Sequence, residues 1–84
     1  MTLDELAEAN PDALTADGFE DAIIGVTINP HHPMVVVYDF QKCVEILIAQ
    51  GLSEEDAVEY LEFNTLGAYV GKNGPLYMER IERE

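Results

Sequence analysis

The spacing of hydrophobic positions changes along this chain, and each change marks an element. Leu3, Leu6 and Ala7 recur at helical spacing behind Thr2, with Glu5 three residues after that threonine. This pattern is a capping box opening a short helix. Asn10-Pro11 ends it, because proline disfavours helical backbone in the residue before it. Residues 12–21 are polar and loop-like, with Asp17-Gly18 as the turn and Phe19 expected to anchor the loop on a core.

From Ala22 to Ile28 the chain is a short stretch rich in β-branched residues, which reads as a strand. Asn29-Pro30-His31-His32-Pro33 follows as a five-residue connection, and Met34–Tyr38 is a second strand. Two such strands joined by a short turn make an antiparallel hairpin. Their unbroken apolar character predicts that at least one strand is covered on both faces.

Helical spacing then returns. Asp39 caps a central helix whose Phe40, Cys43, Val44, Leu47 and Ile48 form a wide inner face. Gly51 stops it, with Leu52 placed to fold back on Leu47 in a Schellman motif. Ser53 opens the next helix, Glu54, Glu55 and Asp56 complement its positive end, and Ala57, Val58 and Leu61 form its inner face. Tyr60, Phe63 and Leu66 extend the apolar coverage well beyond one stripe. This helix should end near Gly67, followed by a glycine-rich loop to Pro75. Leu76–Ile81 admits a strand or a frayed helix. The strand is preferred, because a two-stranded sheet alone is marginal. The expected fold is therefore one α+β domain over residues 1–84: an antiparallel β-hairpin, with a C-terminal third strand, packed against two consecutive helices after a short N-terminal helix.

Size and charge sharpen this picture. With 84 residues the chain has room for one core, burying about 60–65% of its unfolded surface. A hydrophobic fraction of 48% argues against disorder. The net charge is -13, from 17 acids and 4 bases, and no base precedes Lys42. Nucleic-acid affinity comes largely from Lys and Arg neutralising phosphates, so direct binding to DNA, RNA or an anionic membrane is disfavoured. The acidity serves either solubility or docking on a basic protein. A lone Cys43 allows no internal disulfide, and the opening residues carry neither a basic leader nor a long apolar run. Together these point to the cytoplasm, the host's if the chain is phage-encoded.

Each candidate for chemistry has a plainer reading beside it. His31-His32 could hold a metal, but neighbouring turn residues point apart, and an exposed hairpin tip explains them. Gly67–Asn73 has the outline of a phosphate loop, yet its glycines are one residue too close and Asn73 replaces the metal-binding hydroxyl. Cys43 falls on an apolar helix face and reads as a small buried hydrophobe. The two consecutive helices outline a helix-turn-helix, but Glu54, Glu55 and Asp56 sit where phosphate would approach. Asn64, beside Ala57 and Leu61 on the projection, either fastens the following turn or meets a ligand. No catalytic, cofactor-binding or metal-ligating residue is assigned, and no cofactor is expected. Asn64, Tyr69 and Lys72 are the candidate ligand or partner contacts.

Three stretches together resemble a family of small proteins of bacteriophages, prophages and bacteria: Asp17–Gly25, Val36–Leu47 and Glu54–Gly71. The likeness spans residues 17–78. The chain departs from it in the His31-His32 tip, a longer C-terminal tail and Asn73-Gly74. The resemblance implies a phage-related accessory protein and assigns no functional residue. The expected function is a non-catalytic protein–protein interaction module with a protein partner, a homodimer among the options. The alternatives are an acidic, nucleic-acid-mimicking inhibitor of a basic host protein, and a ligand-binding domain or enzyme using residues 64–74.

Overall fold

The computed structural model describes residues 1–66 and 71–82. Its elements run α1 (Leu3–Ala9), a 3₁₀ turn (Glu20–Ala22), β1 (Ile23–Val26), β2 (Val36–Asp39), α2 (Phe40–Ala49), α3 (Glu54–Leu61), a π-helical turn (Glu62–Leu66) and β3 (Leu76–Met78). This is the expected α+β fold, with a hairpin and third strand packed on helices and a short helix ahead of them.

Local chemistry sets the helix ends. The hydroxyl of Thr2 accepts from the Glu5 amide at 3.2 Å, the carboxylate of Asp39 from Lys42, and the hydroxyl of Ser53 from Asp56. Each of these satisfies a first-turn donor that the helix cannot, worth about 1 kcal/mol. At the end of α2 the Gly51 amide donates to the Ile48 carbonyl and the Leu52 amide to Leu47. That bond pair is the Schellman stop, and it needs the φ of +109° that Gly51 adopts. The same bonds set the short, fixed spacing between α2 and α3.

The sheet has the order β1-β2-β3. β1 and β2 are antiparallel, with Ile23 opposite Tyr38 and Val26 opposite Val36, and a bulge lies between Ile23 and Gly25. Glycine accommodates the local kink of a bulge. The strands are shorter than the apolar runs suggest. Ala22 leaves β1 because its amide donates to Phe19 and closes the 3₁₀ turn. At the other end one last backbone bond runs from the Thr27 amide to the Val35 carbonyl, while the Val35 amide donates to the Thr27 hydroxyl rather than to a carbonyl. The hairpin connection is correspondingly longer than residues 29–33, and Ile28 lies exposed within it.

β3 is a strand, as preferred, and it pairs with β2 in parallel: Val37 with Leu76, Tyr38 with Tyr77, Asp39 with Met78. A parallel neighbour requires a crossover, which α2 and α3 supply. The core lies between the inner sheet face and the helices. Val36 and Tyr38 meet Cys43, Val44 and Leu47 from α2, Ala57 and Leu61 from α3, and Leu6 from α1. Phe19 joins this cluster as the expected anchor of its loop. Ile48 does not complete the α2 stripe; it is 40% exposed at the margin of the helix.

Candidate functional site

The sheet has two chemically different faces. Side chains alternate along a strand, so partners across β2 and β3 share a face. Ile23, Val26, Val36, Tyr38 and Tyr77 turn toward the helices. The Tyr38 and Tyr77 rings stack there, centroids 5.4 Å apart. The Tyr38 hydroxyl accepts from the Ala16 amide at 2.8 Å, which ties the loop after α1 to the central strand. Burial pushes the Tyr38 pKa up, outweighing the Ala16 amide, which acts the other way.

The opposite face carries Ile24, Val37, Leu76, Met78 and Asp39. The expectation of a strand covered on both faces is corrected here. Val37 and Asp39 are only half-buried, and Ile24, Leu76 and Met78 are exposed. Beside this face, Asp39 serves twice: one oxygen caps α2 and the other accepts from Nε of Arg80 at 3.1 Å. Arg80 and Lys42, two of the four bases, line the adjoining concavity with Glu45, Glu79 and Glu82.

A second apolar surface lies along the flank of α3. An open depression of about 420 Å³ is lined by Leu52, Asp56, Glu59, Tyr60, Phe63 and Asn64. Leu61 points inward and is fully buried, whereas Tyr60 is 46% and Phe63 83% exposed. The helix loosens into π geometry at Glu62, a distortion often found at functional sites. Among the described residues neither Asp56 nor Glu59 is ion-paired. The widened apolar coverage read from Tyr60 and Phe63 therefore faces outward rather than into the core.

Of the three expected contact residues, Asn64 lines this depression. Its amide donates to the Tyr60 carbonyl at 3.1 Å, so it fastens the end of α3. Lys72 is exposed in the turn before β3 and is not among the lining residues. Tyr69 lies outside the described residues, as do residues 67, 68 and 70 of the same loop. His31 and His32 sit at the exposed hairpin tip, their amides bonded to Asn29. Among the described residues, no three His, Cys, Asp or Glu side chains come together as metal ligands. Cys43 is buried in the core, and burial, with the Asp39 carboxylate, pushes its thiol up to about 11. So high a pKa disfavours the thiolate near neutrality.

One residue with a large structural role escaped the sequence. Asn10 donates to the Met34 carbonyl at 2.8 Å and to the Asn73 side chain at 3.0 Å, while Asn73 accepts from the Leu14 amide. One side-chain amide thus joins the end of α1, the hairpin and the turn before β3. Its only sequence signal was a polar residue before Pro11, which a helix stop already explained.

No helix among the described residues is long and apolar enough to cross a membrane. Comparison with protein-family models, curated proteins and solved structures finds no match.

Proposed function

We propose that this chain is a non-catalytic protein–protein interaction module that associates with a second copy through the outer face of its sheet. The observation behind this reading is the apolar strip of Ile24, Val37, Leu76 and Met78 on a sheet that, among the described residues, helices line on one side only. Apolar side chains gathered on one open surface favour contact with another surface.

Charge selects the place where copies can meet. Two molecules each carrying -13 repel almost everywhere. Around the outer sheet face, Arg80 and Lys42 offset two of the four acids Asp39, Glu45, Glu79 and Glu82, which lowers the repulsion there. The resemblance to phage and prophage proteins adds an accessory setting and no chemistry.

Sedimentation velocity between about 1 and 100 µM tests the reading, since weak self-contacts fall in this range. The expected result is reversible dimerisation that strengthens with salt, because added ions screen like-charge repulsion. Leu76→Asp combined with Met78→Asp should leave a folded monomer. A wild-type chain that stays monomeric at high salt throughout the range refutes the outer-face dimer.

A further inference from the structure

We infer that the depression on the flank of α3 docks a cationic segment of a different protein, bearing an aliphatic or aromatic anchor among Arg or Lys residues. The inference rests on the interaction-module reading but uses another surface and the opposite charge logic.

Three observations converge on this occupant. The lining combines an apolar floor, Leu52 with the rings of Tyr60 and Phe63, and two carboxylates, Asp56 and Glu59. Among the described residues no base lines it and neither carboxylate is ion-paired. Leaving Phe63 83% exposed keeps a large ring in water that a docked side chain could cover. Aromatic faces also attract guanidinium and ammonium groups, and nearby carboxylates strengthen that attraction. A second copy of this chain is a poor occupant, because its excess of acids would meet Asp56 and Glu59. Local bonds anchor both ends of the lining: Asn64 holds the α3 end through its bond to Tyr60, and the Schellman stop holds Leu52.

The test is an amide chemical-shift titration of the full chain with an amphipathic peptide of leucines flanked by arginines. Shifts should concentrate at Leu52 and residues 56–64. Affinity should fall by about tenfold or more from low to high salt, the signature of opposite-charge docking. Phe63→Ala and Glu59→Lys should each weaken binding by about tenfold, as expected for a central anchor and its charge partner. Both positions are exposed, so circular dichroism should stay unchanged.

Glu8→Lys changes net charge equally at an exposed position of α1 outside both surfaces and should bind like the wild type. Equal weakening by Glu8→Lys and Glu59→Lys, or equal binding of a peptide with alanines for leucines, reduces the effect to diffuse attraction and overturns the site. So does the absence of any shift up to about 1 mM peptide. Shifts centred on Ile24, Leu76 and Met78 also overturn it while keeping the outer sheet face as an interaction surface. Focused peptide binding by a chain that never dimerises overturns the outer-face dimer alone.

Discussion

The outer sheet face and the flank of α3 both expose apolar side chains, yet among the described residues only the sheet face has bases in its rim. Beside the sheet, Arg80 and Lys42 sit among acids, and Arg80 is bound to Asp39. Beside α3, Asp56 and Glu59 have no base among the residues that share their depression. Apolar area sets whether a surface tends to associate, and the charged rim sets with what. A chain with 4 bases can make only a small part of its surface tolerant of its own kind. Salt therefore separates the two regions: screening should strengthen contact at the sheet and weaken it at α3.

The sharpest break in this comparison comes from two neighbouring residues on opposite sides of the same helix end. Leu61 is fully buried and Phe63 is 83% exposed. Leu61→Ala should cost about 2–5 kcal/mol in urea unfolding, through lost burial and the cavity left behind. Phe63→Ala should change stability by no more than about 0.5 kcal/mol. A large loss from Phe63→Ala would mean that its ring supports the fold and is not a docking element.

An intermediate effect is expected from alkaline pH, which probes the core shared by both surfaces. The Cys43 thiol ionises near its ordinary 9 when unfolded but only near 11 in the folded chain. Below pH 9 both states hold the proton and stability is intact. Between 9 and 11 the unfolded state alone releases it, so stability falls as pH rises. Burial of the Tyr38 hydroxyl acts in the same direction. Urea midpoints measured across this range should fall, and Cys43→Ala should make the decline shallower. An unchanged slope in Cys43→Ala would show that the thiol is not shielded.

The smallest effect on stability concerns the rim of the sheet. The Arg80 side chain is 68% exposed, so its ion pair with Asp39 is well screened. Arg80→Ala should cost at most about 0.5 kcal/mol. It should nevertheless weaken dimerisation at low salt, because it leaves Asp39 and Glu79 less compensated. Loss of dimer that salt fails to restore would point to a shape contact by Arg80 instead of its charge.

The sequence by itself determined the features whose partners lie within one helical turn. Thr2, Asp39 and Ser53 cap helices, Gly51 stops α2, and Cys43, Val44 and Leu47 turn inward, all from spacing and turn chemistry. It also marked Asn64 as a polar residue needing a partner, and that partner proved to be the Tyr60 carbonyl four residues back. Only the tertiary structure decided that β3 runs parallel to β2, that Asn10 reaches Met34 and Asn73, and that Leu76 and Met78 face outward beside Val37. Local hydrogen bonds and caps depend on residues a few places apart. A sheet face or a long-range amide staple depends on which distant segments meet, and alternation alone does not say which side the helices will cover.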